Sequence, residues 1–113
     1  RMSRNQTTMA PDCLLTLALP QALEEELLDA LLALPEQVPG FTVLQAQGMG
    51  AHVALPSSME QVTGRARRVL VQVALRQDHV PGLLQALKTH LPSPQIAYWI
   101  VPLLAFGRLG DIA

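Results

Sequence analysis

Two apolar stripes at helical spacing, each bounded by prolines and framed by short β-type runs, restrict the folds open to this 113-residue chain. In the first, Leu23, Leu27, Leu31 and Leu34 recur at steps of four, four and three, and Leu28 and Ala30 widen the stripe. Pro20 stands at the helix entrance, where a missing N–H costs little. Glu24, Glu25, Glu26 and Asp29 occupy the early turns, where the helix dipole favours negative charge, and Pro35 closes the helix. In the second stripe, Val80, Leu83, Leu84, Leu87 and Leu91 share a face. Asp78 reads as its N-cap, with Pro81 in the first turn. Lys88 and His90 fall in the last turn, and Pro92 and Pro94 end the helix.

Strand patterns fill the intervals. Residues 13–19 form an almost wholly apolar run ending at Pro20. Residues 41–47 follow the turn at Pro39 and Gly40 and include the β-branched Thr42 and Val43. Residues 67–75 set Val69, Val71, Val73 and Leu75 on one side and Leu70 and Ala74 on the other. Residues 96–104 alternate Ile96, Tyr98 and Ile100 against Ala97, Trp99, Val101 and Leu103, and Pro102 points to an edge or a bulge. Residues 1–12 are polar and aperiodic, and read as a disordered or appended tail ahead of a single domain at 13–113. Residues 49–66 have no sustained period and are punctuated by Pro56, Ser57, Ser58 and Gly64, so a long functional or mobile loop is expected there.

The order β-α-β-β-α-β predicts a ferredoxin-like α+β sandwich, a four-stranded antiparallel sheet with both helices on one face. The other face is left without a helix, yet the third and fourth strands carry apolar residues on both sides. Several exposed aliphatic side chains exceed what a soluble monomer tolerates, so a homo-oligomer that buries the open face is expected. Scattered surface residues are the alternative.

Composition excludes other classes. Half the residues are apolar and 15% are charged, which is not a disordered composition. A net charge of −1 gives no long-range attraction to nucleic acid. Tyr98 and Trp99 do not make an RNA-stacking sheet, because the third strand offers no aromatic ring. The lone Cys13 excludes an intrachain disulfide and a cysteine-rich zinc site. The apolar run at 96–106 is about half of what a bilayer crossing needs, so a cytoplasmic protein without membrane insertion is expected.

Gly40-Phe41-Thr42-Val43 followed by Gly48-Met49-Gly50 is similar to the entry into the long loop of PII-like signalling proteins. Gly64 near the loop base, the basic-to-apolar strand at 67–75, and the run Tyr98-Trp99-Ile100-Val101-Pro102-Leu103 before Arg108 extend the resemblance over residues 13–110. Within that superfamily the chain most resembles a small proteobacterial group of unknown function associated with heavy-metal efflux. The resemblance implies a homotrimer whose sheet faces pack inward. It also implies a small effector, usually an adenine nucleotide, in the clefts between subunits, and long loops that dock on a transporter or enzyme. The chain departs from the family in three places. Residues 49–66 contain no tyrosine, the connection at 91–95 lacks the family's lysine-bearing loop, and Arg108 is the single match to two C-terminal arginines.

Candidate ligand-binding residues are Gly48, Gly50, Arg65, Arg67 and Arg108. Gly48 and Gly50 would let backbone N–H groups approach a phosphate, or would simply turn a strand into a loop. Arg65, Arg67 and Arg68 form the main basic cluster and suit an anion or an acidic partner surface, unless they pair with the acids of the first helix in a neighbouring subunit. Arg108 would close over a bound anion from beyond the last strand. A metal-responsive module using His52 and Met49 is an alternative, although no recognised ligand spacing is present. No catalytic arrangement is visible, so an enzyme is not expected, a dimeric-barrel enzyme being the remaining possibility. Nothing in the sequence names a cofactor.

Overall fold

The computed structural model describes residues 10–48 and 66–113. β1 (Cys13–Pro20) leads through a 3₁₀ turn at Gln21–Leu23 into α1 (Glu24–Leu32). β2 (Thr42–Gly48) and β3 (Ala66–Leu75) follow. A second 3₁₀ turn at Gln77–His79 opens α2 (Val80–His90), and β4 (Ala97–Pro102) completes the sheet. A last 3₁₀ turn spans Leu109–Asp111. The strand order is β2-β3-β1-β4, with every pairing antiparallel. This is the ferredoxin-like α+β arrangement that the order of elements predicts.

Period two sorts the sheet into faces. Cys13, Leu15, Leu17 and Leu19 of β1 and Val69, Val71, Val73 and Leu75 of β3 form one buried layer. Leu27, Ala30 and Leu31 of α1 and Val80, Leu83 and Leu87 of α2 close over that layer, so both helices lie on one face. Each fully buried Leu contributes about 1.5–3 kcal/mol, which places most of the stabilisation on this side of the sheet. Val38 joins the core from the turn after α1, where its N–H donates to Leu34 O at 2.8 Å.

On the opposite face, register aligns Leu44, Leu70, Ala18 and Ala97 in one row and Thr42, Gln72, Thr16 and Trp99 in the next. Gln72 Nε2 donates to Thr16 Oγ1 at 3.4 Å in the middle of this face. Among the described residues no helix covers it, and Leu44 (41%), Trp99 (45%) and Val101 (42%) are exposed. β4 is an edge strand, and Pro102 is its last residue, where a missing donor costs no ladder bond.

The start of α2 differs from the sequence expectation. Asp78 makes no capping bond, because it sits inside the 3₁₀ turn that precedes the helix. The first N–H of that 3₁₀ turn is held by Asp12, whose Oδ1 accepts from Gln77 N at 2.6 Å. Asp12 N also donates to Leu75 O at 3.2 Å, and its carbonyl accepts from Leu103 N at 3.0 Å. A residue assigned from sequence to the leading tail therefore ties together the ends of β3 and β4 and the start of α2. Strand bounds move by a residue or two: β1 includes Pro20, β2 starts at Thr42, β3 begins at Ala66 and β4 is shorter at both ends. Among the described residues, no helix is long and apolar enough to cross a membrane.

Candidate functional site at the base of the 49–65 segment

The sheet end at which β2 stops and β3 starts brings Gly48 to the arginine pair. Gln47 faces Arg67 and Ala46 faces Arg68 across the β2–β3 ladder, and Arg68 also faces Pro20 of β1. Arg67 and Arg68 are consecutive strand residues, so they stand on opposite faces. The basic cluster of the sequence is thus divided: Arg67 lies on the helix side and Arg68 on the open side.

Gly48 lies under Arg68. A Cβ at position 48 would stand 2.8 Å from Arg68 Cγ and 3.1 Å from Cδ. The absence of a side chain at 48 lets the guanidinium stem lie along the strand end. Arg68 carries no ion pair among the described residues. Its charge is held where the chain leaves the sheet, suited to an anion.

On the helix side, Gln21, Gln45, Gln47 and Arg67 line a shallow groove of about 510 Å³ together with Ala46. Three amides and a guanidinium offer donors in several directions and acceptors only through the amide oxygens, which favours an oxygen-rich ligand. The sequence places Arg68 in the basic cluster but not among the ligand-binding candidates, and it gives no sign of the three glutamines. The alternation of β3 carried the signal for Arg68. The glutamines converge only through strand pairing and the 3₁₀ turn.

Arg108 follows β4, whose end at Pro102 lies beside Cys13. That is the opposite end of β1 from Pro20 and Arg68, about 23 Å away at strand rise. The structure brings Gly48 together with Arg67 and Arg68, and the strand that leads to Arg108 ends at the far end of the sheet. Gly50, Arg65, Met49 and His52 lie outside the described residues. Among the described residues, no group of three or more His, Cys, Asp or Glu side chains could hold a metal ion.

The family model described as a protein of unknown function (DUF3240) matches residues 9–110. The chain belongs to that family. A crystal structure of a DUF3240 family protein from Shewanella baltica OS155 superposes with a TM-score of 0.70 at 22% identity, covering 89% of this chain and 99% of that one. CPII from Thiomonas intermedia K12, a nitrogen regulatory PII-like protein bound to ADP, AMP and bicarbonate, gives a TM-score of 0.61 at 18% identity over 88% of this chain and 97% of that one. A putative PII-like signalling protein from Thermus thermophilus gives 0.57 at 19% identity over 83% of this chain and 88% of that one. No curated protein matches the chain. This DUF3240 chain therefore has the PII-like form of the ferredoxin-like fold, as its motifs suggest.

Proposed function

We propose that this DUF3240 protein is a cytoplasmic, non-catalytic PII-like regulator. It assembles as a homotrimer through the open sheet face and binds a small anionic effector of the adenine-nucleotide class in clefts between subunits. The effector contacts Gly48, Gly50, Arg65 and Arg67 of one subunit, to which we add Arg68, and Arg108 of the subunit across the cleft. Differential contact with the bound and free states of residues 49–66 shifts their population and so changes their hold on a partner, a transporter or an enzyme.

What supports this most directly is the seating of Arg68, unpaired among the described residues, against Gly48 at the root of that segment, in a fold shared with a protein whose structure carries ADP, AMP and bicarbonate. The exposed Leu44, Trp99 and Val101 of the open face support the assembly. Calorimetry with ATP, ADP, AMP and bicarbonate is the test. Binding of at least one adenine nucleotide, weakened at least tenfold in Arg68→Ala, is expected. Absence of heat with every ligand removes the effector. A single subunit in native mass spectrometry at micromolar concentration removes the trimer.

A further inference from the structure

The helix side holds a second concavity, an apolar groove of about 580 Å³ between α2, the connection at 91–96 and β4. Leu84, Leu91, Ile96 and Tyr98 line it, and Lys88 stands at its rim. Lys88 has no ion pair among the described residues. The chain that follows β4 is the reverse of this surface. Leu104 is fully exposed, Leu109 is 85% and Ile112 72% exposed, and Asp111 beside them is also unpaired among the described residues.

We propose that residues 104–112 of one copy dock in the α2–β4 groove of a second copy, with Leu109 and Ile112 in the apolar cleft and Asp111 beside Lys88. This rests on the self-association part of the reading above and is independent of any effector. Three observations fix the occupant. The first is charge: a cation rims the groove, and a carboxylate lies between the two apolar anchors of the segment. The second is reach. Seven steps of extended chain from Pro102 to Leu109 span about 23 Å, enough to carry the anchors from the end of β4 to a neighbouring copy. The third is area: Leu44, Trp99, Val101, Leu104, Phe106, Leu109 and Ile112 together expose apolar surface on the order of the 800 Å² that a stable interface buries per partner.

Zero-length carbodiimide crosslinking of a refolded mixture of isotopically heavy and light full-length chains tests the contact. A Lys88–Asp111 crosslinked peptide in mixed heavy–light pairs is expected, and its loss in Asp111→Asn. Leu109→Ser/Ile112→Ser should raise the concentration at which the assembly dissociates at least tenfold while leaving the circular dichroism spectrum unchanged. An assembly that persists with neither the crosslink nor any shift in the double variant overturns the docking and leaves the open-face interface standing. Crosslinks confined to like-isotope pairs place the segment on its own subunit and overturn it as well. A wild-type protein that is monomeric throughout removes both.

Discussion

Gly48 and Arg68 occupy one volume: the space a β-carbon at 48 would need lies 2.8 Å from Arg68 Cγ. The contact is with the stem of the arginine, not its mobile end, so a side chain at 48 pushes the Arg68 stem off its staggered position, at a cost of about 0.5–1.5 kcal/mol. Gly48→Ala is expected to lower the urea midpoint slightly and to weaken anion binding as much as Arg68→Ala does. In Gly48→Ala/Arg68→Ala the steric term vanishes. A double-mutant cycle should therefore show coupling, and additive effects would mean that the two residues do not share the space.

Asp12 fastens the start of α2 from 65 residues away in sequence. Its Oδ2 also lies 3.6 Å from Arg76 Nη1, a half-exposed pair that adds little beside the capping bond. Asp12→Ala should cost about 1 kcal/mol by chemical denaturation, the usual value of a lost cap, and Asp12→Asn, which keeps an acceptor, less. Asp78→Ala should be close to neutral. If Asp78→Ala were the more damaging change, the capping role would belong to Asp78.

Cys13 is buried beneath the helices, and its Sγ donates to Leu75 O at 3.3 Å. Burial, with a smaller contribution from the Asp12 charge, pushes its thiol above the ordinary range. The folded state thus holds the thiol proton more tightly than the unfolded chain. Stability contributed by the neutral thiol is complete at neutral pH and declines as pH rises past the unfolded thiol's pKa of about 8.5. Ellman's reagent at pH 8 should react slowly with native protein and rapidly in concentrated urea. Fast reaction of the native thiol would show it to be accessible.

Trp99 is the single tryptophan of the chain and stands on the open face. Its emission reads the cover over that face. Emission should move to longer wavelength on dilution, and Val101→Glu should produce the same shift at all concentrations together with a single-subunit mass. A Trp99 spectrum insensitive to both dilution and Val101→Glu would place the interface elsewhere.

The PII-like form of the fold was legible in the order of the motifs: Gly40-Phe41-Thr42-Val43 leads into β2, Gly48 ends it, and the 98–103 run fills most of β4. The candidate site was legible only in part. Gly48 and Arg67 were visible as a glycine at a strand end and a basic strand start. Grouping Arg67 with Arg68 ignored the two-residue period that sets them on opposite faces.

Element order and type came from the sequence alone, because strand and helix periods are local and each stripe declares which side of its element seeks the core. The one-sided core followed from the same patterns. Tertiary structure alone decided that Asp12 holds the 3₁₀ turn leading into α2, that Arg68 lies across Gly48, and that the grooves beside Arg67 and Lys88 exist. Each of these depends on how the strands and turns are brought together across the whole sheet: its ladders set residues from 18 (Gly48 and Ala66) to 89 (Cys13 and Pro102) positions apart side by side, and no local period encodes which of them meet.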